Sequence, residues 1–240
     1  MSSALRDVLR HPAIWQGNAG GMTAGDVLAS GFATLDAVLP GGGWPRTAVT
    51  ELLVTRPGSG ELALLWPMLA RLSRQAALVL VNPPLIPYAP AWQQAGLRLQ
   101  RLIRVQPPSV AEALWTMEQA LRESSCGAVL GWFCGGVDDR AARRLQLAAR
   151  EGGGCGLLVR AGRMPQAAVD GLPLPLRLAV SPAPQGWQVR VLKRRGLPLT
   201  EPVLLSFQEG HHALAGARIA ATTAGCLRDG GVSVASRVAR

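Results

Sequence analysis

The sequence predicts an α/β domain of the doubly wound class: a mostly parallel sheet with helices on both faces, extended by antiparallel strands toward the C-terminus. Three observations predict it. Between residues 48 and 159, short runs that are apolar throughout alternate with segments of helical apolar spacing, which is how a parallel sheet covered on both sides reads. The first such run leads into a Gly/Pro turn, TRPGSG, and then into a helix, the order strand, loop, helix. Beyond Gly162 the texture changes to short strand-like segments separated by Pro and Gly, as in antiparallel strands added to a sheet.

Taken in order, residues 48–54 are apolar and β-branched and form the first strand, and ELALLWPMLARLSR (61–74) forms the first long helix. Residues 77–81 are the second strand. A loop carrying Pro83, Pro84, Pro87 and Pro90 follows, then a short helix over 91–95 ended by Gly96. Residues 102–105 are the third strand. Ser109 and Glu112 make an S-x-x-E capping box opening a helix that runs to Arg122. Residues 128–133 are the fourth strand, Asp138 or Asp139 caps a helix ending near Arg150, and 156–159 are the fifth strand. Residues 176–180, 187–193 and 203–207 are the added antiparallel strands. This gives an N-terminal segment (1–29), a core (30–209) and a basic tail (210–240) of Ala, Gly, Ser and Arg, which composition predicts to be mobile alone.

A chain of 240 residues fits one such domain with terminal extensions and can bury its own core. Its densest apolar run, 62–70, is far shorter than the roughly 20 residues needed to span a bilayer. The first residues, MSSALRDVLRHPAIW, mix both signs of charge and do not read as a signal peptide. A soluble, cytoplasmic protein is expected. The net charge of +10 comes almost wholly from arginine, with a single lysine. Guanidinium suits phosphate and acidic proteins, but a chain this rich in Ala, Gly, Pro and Arg carries such an excess anyway, so charge alone does not assign nucleic acid. Cys126, Cys134, Cys155 and Cys226 match no zinc or disulfide pattern and are read as buried, reduced thiols.

The loop between the first strand and its helix stands where a phosphate-binding P-loop would stand. Gly58, Ser59 and Gly60 supply the glycine-rich turn, but the places that need a Lys and a Ser or Thr hold Glu61 and Leu62. A carboxylate about 4 Å from a phosphate would cost on the order of 4 kcal/mol at an effective dielectric of about 20, and Leu62 cannot hold Mg²⁺. The fourth strand ends AVLGWFCGG with no Asp for the metal, and NPPLIPY after the second strand has no carboxylate to activate water. ATP hydrolysis is therefore not expected, no cofactor or metal is assigned, and no catalytic residue is named. His11, His211 and His212 lie in the terminal segments and make no ligand set. Tyr88, Trp92, Trp115 and Trp132 are candidates for stacking on bases, but Trp115 and Trp132 sit on apolar faces and are read as core.

The basic runs carry the remaining candidates. Lys193, Arg194 and Arg195 close a strand before a Gly turn, and are either a solvated hairpin tip or a site for phosphate or a partner. Arg140, Arg143, Arg144 and Arg150 give one helix an exposed basic face, with Arg143 and Arg144 as its candidate contacts. Val8, Leu9, Ile14 and Trp15 either dock on a partner or cover the chain's own core.

At 30–51 the chain reads SGFATLDAVLPGGGWPRTAVTE, which resembles the entry to the RecA core. PGGGWP, TELL, RPGSGEL, LARLSR, PYAPAW, ARRLQLAA and LKRRG resemble the ImuA proteins of bacterial mutagenic translesion synthesis, and residues 77–160 are also similar to the SulA division inhibitors. The resemblance implies a RecA-like doubly wound sheet and a non-catalytic accessory protein of SOS-induced translesion synthesis, with self-association left open. It implies as partners ImuB, an error-prone polymerase III α-subunit paralogue and RecA, with DNA contact through the basic residues left open. The alternatives are a SulA-type inhibitor that binds the division protein FtsZ, and a nucleotide-dependent RecA-like protein on DNA.

Overall fold

The computed structural model describes residues 26–58, 60–161, 171–196, 198–199, 201–206 and 208–209. Strand β1 (Val27–Leu28) pairs antiparallel with β2 (Trp44–Pro45) in a small ribbon, and between them runs the short helix α1 (Ala33–Asp36). The SGFATLD stretch has a local reason to fold this way. The Ser30 amide donates to Asp36 Oδ1 at 2.8 Å, and the Phe32 amide donates to the Ser30 hydroxyl at 3.0 Å. Phe32, Leu35 and Trp44 are thereby held fully buried.

The main sheet contains β3 (Val49–Val54), β4 (Ala77–Val81), β5 (Leu102–Val105), β6 (Cys126–Phe133), β7 (Cys155–Ala161), β8 (Leu176–Ala183), β9 (Gly186–Lys193) and β10 (Val203–Ser206). Its spatial order is β10-β9-β8-β3-β7-β6-β4-β5. All pairs from β8 through β3 to β5 are parallel, and β8–β9 and β9–β10 are antiparallel. This is the mixed α/β sheet that the alternating pattern predicts.

Helices α2 (Glu61–Leu72), α3 (Ala89–Gln94), α4 (Val110–Arg122) and α5 (Asp139–Gly152) cover both faces. Leu78, Leu80, Ala128 and Leu130 point into one core with Leu64, Leu65, Met68 and Leu69 of α2. Val79, Val81 and Val129 point into the other with Met117 and Leu121 of α4 and Leu145 of α5. Successive strand residues face opposite layers, which is why these strands read as apolar throughout.

Both expected helix starts are capped. The Glu112 amide donates to the Ser109 hydroxyl at 3.2 Å, and the Ala141 amide donates to Asp138 Oδ1 at 2.7 Å, making Asp138 rather than Asp139 the cap of α5. Asp138→Ala is expected to lower stability by about 1 kcal/mol in urea unfolding, and Asp139→Ala by less. Equal losses would mean that α5 is capped some other way.

Two expectations are corrected. Trp115 is not core: it is 59% exposed, because α4 buries Ala113, Met117 and Leu121, and the tryptophan falls outside that stripe. Cys134 is exposed, whereas Cys126 and Cys155 are buried free thiols. Burial pushes the Cys155 thiol up to about 12, so it is no nucleophile at neutral pH. Several strands are longer than expected. β8 runs on through Ser181 and Pro182 to Ala183 because its antiparallel partner β9 pairs with it along that length. Residues 1–25 and 210–240, with the docking candidates Val8, Leu9, Ile14 and Trp15 and the expected mobile tail, lie outside the described residues.

Candidate functional site

The glycine loop joins the carboxyl end of β3 to α2, as a phosphate loop would. Gly58 and Gly60 both hold left-handed backbone, with φ of 82° and 107°; Ser59 lies outside the described residues. The loop's amide is aimed at the chain's own carboxylate. The Gly58 N–H donates to Glu61 Oε1 at 2.8 Å, and Glu61, the first residue of α2, is 1% exposed. Its Oε2 is buried with no hydrogen-bond partner among the described residues. The first turn of α2, where free amides favour an anion, thus already holds one from within the chain. Leu62, at the metal-binding position of a working loop, packs against the core.

A second clasp comes from β9, two strands away from β3 and in the same core layer as α2. A Cβ on Gly60 would lie 1.8 Å from Trp187 Nε1, so the indole of β9 rests directly on the loop. Trp187 is itself held edge-on to Phe32, with ring centroids 6.4 Å apart and planes at 79°.

The neighbouring strand ends are polar but carry no carboxylate. Asn82, at φ 54°, donates to the Trp132 carbonyl at 3.2 Å and accepts from Gln106 at 2.6 Å. Gln106 in turn accepts from Arg104 at 3.0 Å. The loop beyond displays Leu85, Ile86 and Tyr88, each at least 70% exposed, while Trp92 is buried. No group of three or more His, Cys, Asp or Glu able to hold a metal occurs among the described residues.

The basic candidates lie elsewhere. Trp187 is the second residue of β9, and Lys193 ends that strand roughly 20 Å away at about 3.3 Å per residue, so the Lys-Arg-Arg run and the glycine loop sit at opposite ends of the sheet. Arg194 turns inward to donate to the Val38 carbonyl, leaving Lys193 and Arg195 exposed. Arg195 meets Arg150 across a pocket of about 320 Å³ lined also by Thr47 and Gln146. On α5, Arg143 is exposed and Arg144 pairs with the buried Glu118, so half of the predicted pair is committed to a structural ion pair.

Sequence reasoning missed one charged cluster entirely. Glu51, in the middle of β3, is fully buried. One carboxylate oxygen accepts from Arg160 Nη1 of β7 at 2.7 Å, and the other from Arg177 Nε of β8, so the two strands flanking β3 are tied to it by charge. The signal was present: three ionisable residues, each inside an otherwise apolar strand.

The family model described as cell division inhibitor SulA matches residues 48–156. Protein ImuA of Caulobacter vibrioides (strain NA1000 / CB15N) is 29% identical over 218 residues, spanning 80% of this chain and 88% of that one. The cell division inhibitor SulA of Klebsiella aerogenes is 32% identical over 98 residues, 40% of this chain and 58% of its own length. The crystal structure of SulA from Pseudomonas aeruginosa is 29% identical and covers 47% of this chain and 98% of that chain, with a TM-score of 0.40. The similarity to ImuA runs along most of both chains, whereas the SulA match stays within the strands from β3 to β7, so the chain is similar to ImuA along most of its length and to the SulA inhibitors over that stretch of the sheet.

Proposed function

We propose that the chain is a non-catalytic, cytoplasmic accessory protein of SOS-induced mutagenic translesion DNA synthesis. It acts through protein partners: an ImuB-like protein, an error-prone polymerase III α-subunit paralogue and RecA. The observation that carries the non-catalytic part is the Glu61 carboxylate seated on the Gly58 amide, and the similarity to Protein ImuA along most of both chains supports the pathway. Within this reading the fold is RecA-like, and the glycine loop is a retired nucleotide site. A bound phosphate would have to displace a buried carboxylate and meet no lysine, so the loop keeps its shape without its chemistry. No helix among the described residues is long and apolar enough to cross a membrane. Lys193 and Arg195, exposed at the far end of the sheet, remain available for DNA phosphate, a contact that would appear as a salt-dependent affinity.

The family-model match over 48–156 favours one second reading, a SulA-type inhibitor that binds FtsZ. A pull-down of the purified chain against the ImuB-like protein, the polymerase paralogue, RecA and FtsZ of the same organism, with Mg²⁺-ATP binding measured in parallel, separates the two. Retention of the ImuB-like protein or RecA with no ATP affinity is the expected result. Retention of FtsZ alone, with filamentous cells on overexpression, moves the chain to division control. Saturable Mg²⁺-ATP binding abolished by substitution at Gly58 or Gly60 would overturn the non-catalytic reading.

A further inference from the structure

Helices α4 and α5 pack side by side on one face of the sheet and leave between them an open groove of about 490 Å³. Ala111, Leu114 and Trp115 of α4 and Ala141 and Leu145 of α5 line it, and Arg140 and Arg144 stand along its α5 side. Trp115 is 59% exposed here, and Val110, one turn earlier on α4, is 44% exposed. A large aromatic side chain beside an apolar trough is the usual anchor of a protein interface.

The charges around the groove are unequally spent. Glu118 is bound to both Arg122 and Arg144, and Arg122 also pairs with Glu151, so these four groups balance. Asp138 caps α5, and Asp139 sits in its first turn, where the helix amides offset their charge. Arg140 and Arg143 remain exposed on the same helix, and among the described residues neither belongs to the ion pairs that tie Arg122 and Arg144 to Glu118 and Glu151.

That imbalance bears on the occupant. Residues 1–25 carry Arg6 and Arg10 against Asp7, and residues 210–240 carry Arg218, Arg228, Arg237 and Arg240 against Asp229. Either segment, or a second copy of a chain with net charge +10, would bring more positive charge to an arginine-lined groove. We infer that the α4–α5 groove docks an acidic amphipathic segment of another protein, with its apolar side chains against Trp115 and its carboxylates at Arg140. The inference stands on the groove itself and not on the translesion assignment, so either can fail alone.

The test uses the full chain and labelled synthetic peptides of about 16 residues, long enough for four helical turns. One carries Leu and Phe at helical i, i+3, i+4, i+7 spacing with Glu elsewhere, one the same apolar residues with Lys, and one the Glu residues with Ser at the apolar places. Fluorescence anisotropy should show binding of the first peptide only, weakening as salt rises. Trp115→Ala should weaken it about tenfold or more, and Arg140→Glu by a smaller but clear factor. Both changes are on the surface, and circular dichroism checks that each variant is folded. Removing residues 1–25 or 210–240 should leave the affinity unchanged. Equal binding of the Lys peptide, no binding of the Glu peptide, or an affinity indifferent to Trp115→Ala would overturn the inference. So would tighter binding on removal of either segment, which would make that segment the native occupant, or self-association in sedimentation that Trp115→Ala abolishes, which would make it a second copy.

Discussion

Glu51→Ala is expected to destabilise the chain by about 3 to 5 kcal/mol, the range for breaking a buried ion pair by removing one partner. Against a typical domain stability of about 5 to 15 kcal/mol, a loss of that size takes a third or more of the total over most of that range, and at its low end it leaves a populated unfolded state. The cause is not the lost contact alone. Arg177 is 5% exposed and lies directly across from Glu51 in the β3–β8 register, so it cannot swing to water without leaving the sheet. Arg160, with 20% of its side chain exposed, is better placed to escape, and Arg177 therefore carries most of the penalty. Glu51→Gln keeps the volume and an acceptor oxygen but removes the charge, so it should fall between wild type and alanine in urea unfolding. Replacing all three residues together by apolar side chains should cost less than Glu51→Ala alone, since no buried cation is then left behind. If Glu51→Ala costs under about 1 kcal/mol, the order expected for an ordinary surface ion pair, then the three groups do not form a closed buried cluster.

The cluster also marks the limit of what could be read in advance. The central strands were legible because they are apolar on both faces, and the starts of α4 and α5 because Ser109 and Asp138 are capping residues placed just before amphipathic runs. The altered chemistry of the glycine loop was legible because Glu61 and Leu62 follow Gly60 directly in the chain. What escaped depends on which strands become neighbours. Glu51 and Arg177 are 126 residues apart, and only the insertion of β3 between β7 and β8 makes them partners. Trp115 is a different kind of miss: the Ala113, Met117, Leu121 stripe was available in the sequence, and helical spacing alone puts Trp115 off it. Glu61 was expected to repel a phosphate, but its bond to the Gly58 amide depends on how the loop turns back on itself, and no residue pattern encodes that. The opposite placement of Lys193 and the glycine loop likewise follows from β9 running antiparallel to β8.

Gly60→Ala is expected to cost about 3 kcal/mol and Gly58→Ala only about 1 to 2 kcal/mol, although both glycines hold left-handed backbone that an alanine adopts at a penalty of about 1 to 2 kcal/mol. The difference lies in what each new methyl meets. At Gly58 there is nothing within 4 Å, whereas at Gly60 the Trp187 indole stands 1.8 Å away. Trp187 cannot simply yield: it is 9% exposed within the core and braced against Phe32, so overpacking adds a further cost of about 1 to 3 kcal/mol. In a Trp187→Ala background the penalty of Gly60→Ala should fall to that of Gly58→Ala, a coupling that a double-mutant cycle in urea measures directly. Equal penalties in the parent chain would mean that Trp187 does not rest on the loop. The ordering also bears on what the loop is for. A glycine kept free for a ligand faces open space, as Gly58 does; a glycine filled from above by the protein's own tryptophan, one residue before a carboxylate that takes the amide's hydrogen bond, belongs to a loop closed on itself.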